Sequence, residues 1–287
     1  MTGTLKRLCD WAAHRLTRER DLRMAWRVEK RGQRSTLVGT AHFFPYRFRT
    51  ALRAGIRGAS TVLLEGPVDD VAMARVARSG TVMERGHSLA DALDTKTVLK
   101  INAEFGAPAP AFSVHPLYDE IFGGNPASQL CINIQGLKPW MAFFRIWSHY
   151  LQKHGWAYRL DRDALKAATE LGRPVHFLET IDEQIAALEG VPLARILDFL
   201  ARVDWTEYRS EYVRHYLAGA LEPLAAGARA FPSYCEPVLD RRDPVLCERL
   251  RPHLERGGAI AFIGILHCPR VVELLRADGY DVAQLPA

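Results

Sequence analysis

Two stretches of the chain repeat one pattern. "LVGTAHFFP" near the start and "AFIGILHCP" near the end each run an apolar segment into Gly-x-x-His and then a proline. A short apolar run rich in β-branched residues suits a strand buried on both faces, and the polar residue that closes it falls at the strand's carboxyl edge. Each stretch then continues alike: "YRFRTALRAGIRGA" and "PRVVELLRADG" carry helical periodicity, while "STVLLEGP" and "YDVAQL" are again short and strand-like. Parallel strands require such a helical crossover. The expected fold is therefore α/β: a central sheet built from two related β-α-β halves, helices on its faces and a helical insertion between them.

The first motif strand has a partner. "RMAWRVEKRGQRSTLVGTAH" reads as two strands around a Lys-Arg-Gly-Gln turn, a hairpin that delivers His42 at its end. In the middle, "DDVAMARVARSG", "TKTVLKINAEFG", "KPWMAFFRIWSHYLQKHG" and "DRDALKAATELG" each carry an apolar stripe that stops at glycine, the pattern of capped helices. "RPVHFLET" is another strand, closing on Glu179 as "STVLLEGP" closes on Glu65, with His176 inside it as a core histidine. The following stretch, residues 181–224, is helical and broken around Gly190 to Pro192 into two or three helices. No low-complexity linker divides the chain, so residues 23–287 are expected to form a single domain with a helical insertion at about 69–170. Residues 1–22 are expected as a basic amphipathic helix, with Leu5, Leu8, Trp11, Ala12 and Leu16 at helical spacing among Lys6, Arg7, Arg15, Arg18 and Arg20.

Composition excludes several classes. The 287 residues are 48% hydrophobic, enough for a sizeable core, but no uncharged apolar run is long enough to span a bilayer. Charges recur too often near the N-terminus for a signal peptide, so a cytoplasmic protein is expected, with peripheral membrane contact through residues 1–20 left open. The 38 basic and 33 acidic residues are interspersed, which gives no nucleic-acid footprint. Five scattered cysteines without a C-x-x-C pair argue against a disulfide framework or zinc knuckle. The oligomeric state is not specified by any of these features.

His42, Glu65, Glu179 and His267 all stand at expected strand ends, where open α/β sheets bind ligands. A lone histidine there is most often a local hydrogen-bond partner, but two in matched contexts point to one shared site. Two imidazoles and a carboxylate suit a divalent transition metal with open positions for water or substrate. Such an ion makes bound water a nucleophile near neutral pH, so hydrolysis is the natural chemistry. Each motif glycine would let the backbone approach a ligand or turn sharply. Glu179 is weighed as a cap of the helix near Asp182. Cys268 is weighed as a nucleophile or as a thiolate ligand to haem. There is no G-x-S-x-G elbow, phosphate-binding loop, H-E-x-x-H or dinucleotide fingerprint.

The sequence resembles the TraB/GumN family, which includes the Tiki metalloproteases and lies in a superfamily with erythromycin esterase-like and ChaN-like proteins. The resemblance runs through "VLLEGP", "GHSLADAL", "LKPWMAFF", "LDRDALKAATELGRPVHFLETIDEQIAAL", "RRDPVLCERL" and "LLRADGYDV" as well as the two histidine motifs, over residues 34–284. It implies two facing halves with the motifs and the first-half glutamate at the centre. His42, Glu65 and His267 then look like ligands of manganese or cobalt, with zinc or iron also compatible. Glu65 is alternatively the general base; Arg242 would steady an oxyanion, and Asp161 would orient a ligand or cap a helix. The implied activity is metal-dependent hydrolysis of peptide or amide bonds, on a peptide or small-molecule substrate. The alternative is a ChaN-like protein that sequesters haem, metal or peptide without turnover, with Cys268 as the haem-binding residue. The chain departs from the family at Cys268-Pro269-Arg270, where an apolar residue and a glycine-rich turn are common.

Overall fold

Strands β1 (Ala25–Lys30) and β2 (Gln33–Thr40) form the expected hairpin, paired from Ala25 with Val38 to Lys30 with Gln33. Its two-residue turn has positive φ at both Arg31 (52°) and Gly32 (78°), the combination that matches the right-handed twist of the flanking strands. The computed structural model describes residues 19–81, 88–105 and 134–286. The basic helix expected over residues 1–22 falls outside this range for residues 1–18, and Glu19 to Leu22 are not helical.

The hairpin belongs to a six-stranded sheet ordered β4-β3-β5-β2-β1-β6, where β3 is Thr61–Leu64, β4 Val175–Phe177, β5 Ala259–Gly264 and β6 Asp281–Gln284. β2, β3, β4 and β5 are parallel, while β1 is antiparallel to both β2 and β6. Helix α1 (Arg49–Gly58) links β2 to β3, and helix α12 (Cys268–Ala277) links β5 to β6. The two β-α-β halves are interleaved. β5 lies between β2 and β3, and β2 with β1 lies between β5 and β6, so the motif strands β2 and β5 are direct neighbours.

This interleaving explains the apolar run of β5. Ala259 to Ile263 are all buried, and withdrawing side chains such as Ile260, Phe262 and Ile263 from water stabilises the fold by about 1.5–3 kcal/mol each. One hydrophobic cluster joins the sheet to the helices around it.

Between β3 and β4 run α2 (Asp70–Ser79), α3 (Leu89–Ala92), α4 (Thr95–Phe105), α5 (Pro139–Lys153) and α6 (Leu160–Glu170). After β4 come α7 (Ile181–Glu189), α8 (Leu193–Arg202), α9 (Trp205–Ala218), α10 (Leu221–Ala228) and α11 (Arg242–Arg256). The stretch 181–224 thus holds three helices and the start of a fourth, because Asp204 caps α9 and Gly219 ends it in the left-handed conformation. α11 lies outside the helices read from the periodicity, and Pro252 sits within it. His176 is not a core histidine: β4 is a sheet edge, and the exposed His176 ring lies 5.2 Å from that of His253.

Candidate functional site

Parallel pairing brings the two motifs side by side. Thr40 lies opposite Gly264, so both chains leave the sheet at the same edge. Glu65 follows β3 directly, with its N–H on the Phe262 carbonyl at 2.9 Å, and Glu179 follows with its N–H on the Glu65 carbonyl at 2.8 Å. His42, Glu65, Glu179 and His267 therefore end four adjacent parallel strands.

The motif glycines serve the protein's own side chains. A β-carbon at Gly39 would overlap Ile265 Cδ1 and approach Cys268 Sγ to 3.0 Å, so it would push both side chains of the second motif away from β2. At Gly264 the β-carbon would stand 3.1 Å from Glu65 Oε2, the oxygen that accepts the Gly264 N–H at 2.5 Å. Neither glycine has positive φ, so the sharp turn expected for them is not their reason. The buried Tyr216 hydroxyl donates to the Gly39 carbonyl at 2.6 Å, which ties the first motif to α9.

Each histidine has its own carboxylate. His42 Nδ1 lies 2.7 Å from Asp161 Oδ2, an approach set up where Phe44 pairs with Tyr158 and Leu160 N–H donates to the Ala41 carbonyl. His267 Nδ1 lies 2.5 Å from Asp243 Oδ1 in the first turn of α11. The two rings differ in exposure: the His42 side chain is 67% exposed and that of His267 5%. The surrounding protein atoms oppose the imidazolium at both rings, fully at His267 and less at His42, whose side chain stays largely open to water. For His42, Asp161 with Glu65 outweighs that cost and raises the ring to about 9. For His267, Glu65 and Asp243 do the same, again to about 9. Burial pushes the Asp243 carboxyl up, against the pull of His267.

Glu65 sits between charges. Its Oε1 is 3.5 Å from His267 Nε2 and 2.5 Å from Arg242 Nη2. Burial alone would favour the neutral acid, yet His267, Arg242 and His42 hold it well below the usual carboxylate range. Arg242 also reaches Glu179, by Nε at 2.9 Å and Nη2 at 2.5 Å, and its Nη1 donates to the Val238 carbonyl at 3.3 Å. One guanidinium thus bridges two carboxylates and fixes Glu65.

Two sequence readings change here. Glu179 caps nothing: Thr180 is the cap of α7, in a reciprocal box with Glu183, and Glu179 is buried against Arg242. Asp161 is not the cap of α6 either; that position is Arg159, and Asp161 turns to His42. Cys268 is fully buried in the first turn of α12, and burial holds its thiol well above the ordinary thiol value. Asp243 went unread in the sequence, although its place beside Arg242 in "RRDP" put it within one residue of a candidate.

Among the described residues no group of three or more His, Cys, Asp or Glu side chains is placed so that it could hold a metal ion. The donor set is nonetheless of the right chemistry. With both Nδ1 atoms on carboxylates, each ring keeps Nε2 as its remaining donor, the arrangement typical of metal-ligating histidines.

The model of the TraB/PrgY/gumN family matches residues 24–284, from the first strand to the last. The chain belongs to the TraB/PrgY/gumN family. No curated protein matches it closely enough to add a function. The family match takes in both histidine motifs, both glutamates and both aspartates of the site. Among the described residues, no helix of this family member is long and apolar enough to cross a membrane.

Proposed function

We propose that this TraB/PrgY/gumN member is a metal-dependent hydrolase acting on peptide or amide bonds. The observation that carries the reading is the matched pair of Nδ1-to-carboxylate contacts, His42 with Asp161 and His267 with Asp243, on neighbouring strands beside Glu65. His42, His267 and Glu65 would hold the ion. Two imidazole nitrogens and a carboxylate suit manganese or cobalt, and also zinc or iron. Such an ion, when bound, polarises a carbonyl and lowers the pKa of a bound water.

The remaining roles belong to the protein. Asp161 and Asp243 hold the Nδ1 proton, so Nε2 is the nitrogen each ring would turn to an ion, and binding would displace the Nε2 proton that a ring raised to about 9 otherwise keeps at neutral pH. Arg242 keeps Glu65 ionised and aimed, so Glu65 can serve as ligand or accept a proton from the attacking water. In this arrangement Arg242 acts through Glu65, since its guanidinium is taken up by two carboxylates and a carbonyl. The haem reading drew on Cys268, and a buried, protonated thiol gives it no support.

The test is metal content of protein purified without a metal-affinity tag, wild type against the His42→Ala/His267→Ala double variant. A near-stoichiometric transition metal lost in the variant is expected. Wild-type protein that holds no metal and refuses added manganese, cobalt, zinc and iron would overturn the reading.

A further inference from the structure

We propose that the cleft next to the candidate centre receives a basic side chain of the substrate, an arginine or lysine within a peptide; this rests on the hydrolase reading above. The cleft has a volume of about 1030 Å³ and opens between α10, the loop before α11, α12 and the outer strands β1 and β6. β6 is antiparallel to β1, and β1 to β2, so β6 runs with β2 and its end at Gln284 lies at the sheet edge that carries the histidines. Trp26, paired with Gln284, lines the cleft at that edge. Cleft and centre also share a wall, because Asp243 lines the cleft while its Oδ1 holds His267.

The lining combines two features that a long basic side chain needs. Tyr234, Leu221 and Leu266, all half-buried, offer apolar and aromatic surface for an aliphatic stem, with Trp26 and Leu239 packed beneath as its floor. Asp240 and Glu222 are exposed carboxylates of the same cleft and make no ion pair among the described residues. Of the two arginines that line the cleft, Arg270 pairs with Glu273 at 2.7 Å and also feels Asp240 and Asp243, while Arg276 donates to the Val282 carbonyl at 2.8 Å and keeps its charge, so carboxylates still outnumber guanidinium groups along the lining. The acidic excess is local: the whole chain carries a net charge of +5, so a cationic peptide is attracted to this cleft and not to the surface at large.

The experiment is calorimetric titration of the Glu65→Gln protein, which removes turnover, with acetyl-Gly-Gly-Arg-Gly-Gly-amide and its norleucine and glutamate counterparts. The arginine peptide should bind about tenfold more tightly than the norleucine peptide, as expected for a charge-assisted contact. Asp240→Asn/Glu222→Gln should abolish that preference and leave the norleucine peptide unchanged. Equal binding of the three peptides, no measurable binding, or a preference that survives the double substitution would overturn the proposal. Hydrolysis is read separately on protein with Glu65 intact. Cleavage without basic preference sinks the cleft and spares the hydrolase, whereas charge-dependent binding without cleavage does the reverse.

Discussion

Asp161 and Asp243 hold the same station in the two halves of the site: each is the second residue of a helix, and each meets the Nδ1 of a motif histidine. The correspondence extends the sequence repeat from strands and histidines to carboxylates contributed by helices far apart in the chain. It is also unequal. The pair with Asp243 is buried, whereas His42 stands open to solvent, so the two arms should respond differently to the same substitution.

Asp243→Asn should weaken binding of manganese or cobalt by about 10–100-fold, the usual effect of losing the partner that orients a ligating imidazole. It should also lower stability, because His267 loses its carboxylate in a buried setting. Asp161→Asn should weaken metal binding with a smaller loss of stability, His42 being solvated. Titration with cobalt, followed by its visible absorption, and urea unfolding of the metal-free proteins separate the two effects. Equal stability losses would contradict the asymmetry.

Arg242→Ala should destabilise the protein by about 3–5 kcal/mol, since it leaves Glu179 and Glu65 buried side by side without their shared cation. Arg242→Ala/Glu179→Gln should recover part of that loss by removing one of the two charges. Denaturant unfolding of the three proteins is the check. A single variant as stable as wild type would mean that the bridge does not hold these strand ends.

The sheet was legible in the sequence wherever burial and turn chemistry agreed. The hairpin at Arg31 and Gly32, the apolar β5 and both crossovers follow from local pattern. Glu65 and His267 were visible as polar residues ending apolar runs. Glu179 was visible too, but its local sequence offered a helix start, and only the pairing of β4 with β3 turns it toward Arg242. Asp243 was hidden for a related reason: its partner is remote on another element, and two prolines in α11 masked the helix that carries it. The exposure of His176 depends on strand order, which no single segment encodes.

Gly39→Ala should cost about 1–3 kcal/mol, the range for forcing a methyl into a packed interior, because Ile265 Cδ1 already fills the place of the β-carbon. The strain falls where the two motifs touch, so metal affinity should drop with stability. Ile265→Val in the same chain should restore part of both by removing the overlapping methyl. Thermal unfolding and cobalt titration of the single and double variants test this. No rescue by Ile265→Val would mean that the close approach of β2 to the second motif is not what requires glycine.

Glu183 links the cap of α7 to α11. Contacts from Arg249 and from the Thr180 N–H bring its carboxyl down from 4.5 to about 2. A carboxyl lowered on folding stabilises the native state fully above its unfolded value of 4.5, and that contribution disappears as the pH falls through about 2. The Glu183 side chain is 42% exposed, so water screens the pair and its share at neutral pH should stay below about 1 kcal/mol. Glu183→Gln keeps an acceptor for the Thr180 N–H while removing the charge that meets Arg249. The variant should therefore unfold at a lower urea concentration than wild type at pH 7, with the two midpoints converging between pH 4.5 and 2. A gap that persists at pH 2 would assign the loss to cap geometry and not to the ion pair.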